Sequence, residues 1–273
     1  MEANHGQPTR LLHYGFLVLA AAFLYLDLFV LPATPIAGTD LDEGFYLHNA
    51  TRMLDGQMIY RDFFQFTPPG TELVYLALFK LFGVRAWIPN ATQLVLGFSL
   101  TWLCVFISRK ILSGPAAYLP AFLFLVLAFH PAMDGSHHWF SMLAVTAATA
   151  LIIQERSLKR LAGAGALCAL ASFFTQTRGV GVAVGIALFL WWEHWKKPRG
   201  DGALLRSEGV FAVAFAAVTG ALNLYFIWEA GLKHYLWCTI TFAIKYYPAE
   251  SQLNSFQISM LHPPVGGPLA FYS

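Results

Sequence analysis

Residues 11–31 read LLHYGFLVLAAAFLYLDLFVL, and Asp27 is the single carboxylate in a run that holds no Lys or Arg. At about 1.5 Å of helical rise per residue, a stretch of this length crosses a hydrocarbon core of about 30 Å. It is longer than the roughly 7 to 15 apolar residues of a signal-peptide core, so it is expected to stay as a first membrane span. Similar runs recur at 88–107, 116–130, 139–153, 161–175, 180–195 and 210–228. Lipid offers backbone amides no partner, so spans must be helices or closed barrels, and the short alternating strands of a barrel are missing. The expected fold is therefore all-α, a polytopic transmembrane helical bundle of about seven spans.

Composition points the same way. The chain is 57% hydrophobic and 12% charged, about half the charge of an ordinary soluble domain, and its mean hydropathy is +0.56. A net charge of +2, with no basic run interleaved with aromatics, excludes a nucleic-acid partner. Cys104, Cys168 and Cys238 lie in apolar surroundings without metal-ligand or disulfide spacing, and read as small buried hydrophobes.

Basic residues set the orientation, because Lys and Arg accumulate in cytoplasmic loops. With the N-terminus inside, the inner connections carry ten of them and the outer ones seven, four of which sit in one long loop where the rule has little force. The segments 32–87 and 231–273 then face outward. Within the first, 45–55 has an amphipathic pattern with Tyr46, Leu47, Ala50, Met53 and Leu54 on one side and His48, Asn49, Arg52 and Asp55 on the other. Such a helix suits a membrane surface. A second surface helix is expected over 70–82, after Pro68-Pro69 and before Gly83.

Just ahead of the first helix, Asp40, Asp42 and Glu43 place three carboxylates within four residues. One account is helix capping, since Asp40 and Glu43 have capping-box spacing. The other is a general base or metal ligand at the mouth of a cavity. The run Asp42-Glu43-Gly44-Phe45-Tyr46, followed by Asp55-Gly56, Tyr60-Arg61-Asp62-Phe63-Phe64 and Pro68-Pro69-Gly70, resembles the first outer loop of polyprenyl-phosphate-dependent glycosyltransferases of the GT-C fold. Protein mannosyltransferases and aminoarabinose transferases belong to that superfamily. The resemblance implies a membrane enzyme of the bacterial inner membrane that takes a sugar from a polyprenyl-phosphate donor and passes it to a lipid, glycan or protein acceptor outside. It also implies a catalytic carboxylate at Asp42, with Glu43 beside it and Asp40 as a second candidate. Arg61, Arg178 and Lys245 are the outward cations available to the leaving phosphate. The chain has Phe66-Thr67 where aminoarabinose transferases carry a Glu-Lys pair, which argues against a lipid A role. Relatives are longer, so 1–273 is expected to be a single but C-terminally incomplete GT-C-like domain.

The connection 130–139 holds Asp134, His137 and His138. These residues either complete the acidic site, with a divalent metal as the one cofactor to consider, or belong to a solvated turn that caps the next helix. Arg178 follows the polar turn Thr175-Gln176-Thr177 between two short apolar runs. There it either meets a donor phosphate or snorkels to water. Asp27, near the outer end of the first span, is left outside the site. The rival class is a transporter or flippase of lipid-linked sugars, for which charges and broken helices near mid-membrane are the expected signature; an inactive family member is the third reading.

Overall fold

The computed structural model describes residues 10–30, 41–154, 157–196 and 202–246. Every regular element among them is helical, and the one β-bridge, between Ile59 and Phe63, is isolated. The chain divides into two compact units, one of residues 1–57 and 68–225, the other of residues 58–67 and 226–273.

In the first unit, α1 (Arg10–Tyr25) continues into a π-helical stretch, Leu26–Val30. Then come α2 (Leu41–Leu54), α3 (Gly70–Phe82) and α4 (Trp87–Ser108). An irregular helical run, Gly114–Ala132, follows. It contains α5 (Leu119–Leu123), and Pro115 and Pro120 stand where a first helical turn needs no amide donor. The remaining helices are α6 (His137–Ile152), α7 (Leu158–Phe174), α8 (Gln176–Lys196) and α9 (Ala203–Ala230). Among the described residues, four segments are long and apolar enough to cross a membrane: Arg10–Val30, Trp87–Ser108, Gly114–Ala132 and Ala203–Ala230. The other expected spans form α6, α7 and α8, helices of 16, 17 and 21 residues.

Packing follows residue size. Ala20 and Leu24 of α1, with Leu28 of the π-helical stretch, meet Leu125 and Phe129 of the irregular run. Helix α7 is built from small residues that admit close neighbours, as is usual where helices associate in lipid. A β-carbon on Gly165 would strike the Phe211 carbonyl of α9, and one on Gly179 of α8 would strike the Ser172 backbone. Helices α2 and α3 bury Tyr46, Ala50, Tyr75 and Phe79 with Ile88. Gly83, at φ +73°, ends α3 and donates its amide to the Phe79 carbonyl.

The amphipathic pattern of α2 misplaces one residue. Asn49, assigned to the polar side, is 1% exposed and donates to Glu72 Oε1 at 3.4 Å. Glu72 is itself buried on α3, and a carboxylate away from water needs a polar partner.

The second unit is described by itself. Tyr60 takes a positive φ of 68°, lies edge-on to the rings of Phe226 and Tyr235, and donates its hydroxyl to the Thr67 carbonyl at 2.6 Å. Its helical part continues through α10 (Leu232–Leu236), a π-helical stretch (Trp237–Phe242) and α11 (Ala243–Lys245).

Candidate functional site

Three helix starts converge in the first unit. Asp42, exposed, stands in the first turn of α2; His137 and His138 open α6; Arg178 lies in the first turn of α8. Asp42, His137 and His138 each offer a ligand atom, and these three atoms lie within 4.8 Å of one another. The two imidazole rings are 3.9 Å apart, centre to centre.

The backbone that presents the histidines is tied from two sides. Ser136 caps α6 by accepting from the His138 amide. Arg178 donates to the His138 carbonyl and to Ser141 Oγ, both at 2.7 Å, and comes within 3.4 Å of His138 Nδ1. Thr175 donates to Ser141 Oγ at 3.1 Å and to the His137 carbonyl at 3.3 Å. On the other side, the Tyr46 hydroxyl of α2 meets His137 Nδ1 at 2.7 Å. Tyr46 therefore joins the helix that carries Asp42 to the one that carries the histidines.

Behind this mouth the carboxylates are buried. Glu43 is 6% exposed, and Gln93 of α4 donates to its Oε1 at 3.0 Å. Asp134 is buried and accepts from the Ser136 amide at 3.0 Å, closing a tight turn onto α6. Tyr75 donates its hydroxyl to the Gly135 carbonyl at 2.8 Å. Burial first, and then the negative charges of Glu43 and Asp134, hold the Tyr75 phenol well above its ordinary pKa. It therefore stays a donor. Gly135 has no room for a side chain, because a β-carbon there would run into the Tyr75 hydroxyl and Glu43.

Of the residues singled out from sequence, Asp42, His137, His138 and Arg178 come together. Glu43 and Asp134 are neighbours of this group but face inward around Tyr75, and the third donor beside the histidines is Asp42 rather than Asp134. Asp40 lies outside the described residues. Arg61 and Lys245 belong to the second unit. There Arg61 is paired with Asp62 at 2.9 Å and Glu229 at 2.8 Å, and the Lys245 ammonium sits 5.3 Å from the centre of the Tyr246 ring. Tyr46, Ser141 and Thr175 were not expected at the site. Tyr46 reads as one more apolar position of an amphipathic helix, although it ends the run Asp42–Tyr46 that carries the resemblance, and Thr175 opens the polar turn before Arg178.

Comparison with protein-family models, with curated proteins and with solved structures finds no match to this chain. Over the described residues, fold and geometry define it as an all-α protein with four helices fit to cross a membrane and a cluster of Asp42, His137, His138 and Arg178 at the starts of three helices.

Proposed function

We propose that the chain is a membrane glycosyltransferase that moves a sugar from a polyprenyl-phosphate donor to a hydroxyl acceptor on the extracytoplasmic side. Seven crossings with a cytoplasmic N-terminus put the start of α2, the turn before α6 and the turn at Thr175 on that side together. The observation that carries the reading is the meeting of Asp42 with Arg178's surroundings: an exposed carboxylate and a half-buried guanidinium both flank the His137–His138 pair.

In the reaction the acceptor oxygen attacks the anomeric carbon. The bond from that carbon to the phosphate oxygen breaks, and its electron pair leaves with the polyprenyl phosphate. The hydroxyl proton passes to Asp42, acting as general base. One displacement inverts the anomeric configuration. Arg178, held by His138 and Ser141, faces the charge that develops on the phosphate, where a planar guanidinium pairs well with phosphate oxygens. Glu43, buried and bonded to Gln93 of α4, serves by holding the start of α2 in place and not by touching substrate.

The test is transfer from radiolabelled polyprenyl-phosphate sugars in membranes that contain the protein. Asp42→Asn should lower the rate by about 10²- to 10⁴-fold, the usual contribution of a positioned base. A rate equal to that of the unaltered protein would remove Asp42 from the mechanism.

A further inference from the structure

We infer that Asp42, His137 and His138 form a binding site for one zinc-class divalent ion. The donor set is the first reason. Two imidazoles and one carboxylate suit zinc and its transition-metal neighbours, whereas magnesium and calcium prefer oxygen alone. Three protein ligands leave a fourth position open, the pattern of zinc sites that also bind water or substrate.

Geometry is the second reason. In a tetrahedral site with metal–ligand bonds of about 2.1 Å, ligand atoms stand roughly 3.4 Å apart. The three donors lie within 4.8 Å of one another, so closure asks for at most about 1.4 Å of approach between any two of them. Asp42 is exposed, so its side of the site opens to solvent.

The third reason is the support behind the ligands. Metal-binding histidines usually hydrogen-bond through their other ring nitrogen, which fixes the ring and its tautomer. The Tyr46 hydroxyl occupies that place at His137 Nδ1, 2.7 Å away, and so assigns the metal to Nε2. Capping by Ser136 and the bonds from Thr175 and Arg178 to the two histidine carbonyls hold the pair's backbone. Arg178's long contact to His138 Nδ1, at 3.4 Å, is the one that metal binding replaces. Its two 2.7 Å bonds remain.

With the ion bound, the ion, Asp42 and Arg178 together carry net positive charge, so the open position favours an anionic oxygen such as that of a phosphodiester. Asp42 gives the ion one oxygen and keeps the other for the acceptor proton. This role rests on the transferase reading; the binding site itself does not.

The experiment uses the full chain, purified in lipid nanodiscs with any affinity tag removed, stripped by chelator and dialysed against zinc. Elemental analysis should find one zinc per chain in the unaltered protein and in His48→Ala, which changes an exposed histidine of α2. Asp42→Asn, His137→Gln and His138→Gln should lose it while keeping the helical circular dichroism of the parent. Tyr46→Phe should keep the site but weaken zinc binding by about 10- to 100-fold. Cobalt in place of zinc should give the visible absorption of a tetrahedral ion. No bound zinc in the unaltered protein, or equal zinc in the ligand variants, overturns the site. Zinc binding with no transfer from any polyprenyl-phosphate sugar leaves the site standing and removes the transferase reading. Transfer that survives full chelation removes only the ion's role.

Discussion

Tyr75 shows how much a single side chain contributes to the site without touching its mouth. Its hydroxyl holds the Gly135 carbonyl, and Gly135 lies between Asp134 and the capped start of α6. The environment that keeps the phenol protonated also makes the fold sensitive to alkali. A group whose folded pKa is raised stabilises the fold below its unfolded pKa and loses that contribution as pH rises toward the folded value. For tyrosine the unfolded value is about 10. The thermal midpoint of the purified protein should therefore fall as pH is raised past about 10, and Tyr75→Phe should show a smaller fall over the same interval, at the cost of a lower midpoint at neutral pH. Circular dichroism melts across that range check both. No difference between the two slopes would mean that the phenol is not held neutral by its surroundings.

At the scale of elements, glycines separate contact from ornament. Gly165 of α7 faces the α9 backbone, whereas Gly185 of α8 has open space around the position of a β-carbon. Gly165→Ala should lower the midpoint, since forcing atoms into a packed contact costs about 1 to 3 kcal/mol. Gly185→Ala should leave it unchanged or raise it slightly, because alanine favours helix over glycine by up to about 1 kcal/mol. Thermal unfolding in one detergent compares them directly. Elements were also the most legible part of the sequence. The 70–82 helix ends at Gly83 as the pattern predicts, and the apolar runs are helical over nearly all of their described length, as a helix satisfies its own backbone. Asn49 was not legible, since helical period sorts residues by polarity and cannot see that Glu72 waits inside. Nor was the gathering of the site: 91 positions separate Tyr46 from His137, and nothing local in either stretch encodes the other.

For the whole molecule, the arrangement makes a claim about sides. The proposed orientation has the α2–α3 segment, the turn before α6 and the Thr175 turn on one face of the membrane, and these are the segments that meet at Asp42, His137, His138 and Arg178. Single cysteines at His48 and Lys196, both exposed, in a background without Cys104, Cys168 and Cys238, should react with an impermeant thiol reagent from opposite faces. Labelling of both from the same face would overturn the proposed orientation. His48 serves better than its neighbour Asn49, whose burial would block the reagent.

The first helix has one more consequence. Asp27, in the π-helical end of the first segment, accepts a hydrogen bond from His130 Nδ1 at 2.7 Å, and the Leu28 carbonyl beside it takes a hydrogen bond from Asn90 at 2.8 Å. The first apolar segment is thus an internal strut, latched by polar bonds to two later segments. Grafting an unrelated hydrophobic helix in its place would deliver the chain to the bilayer and could still offer Asn90 a backbone carbonyl, but it would leave His130 without the Asp27 carboxylate.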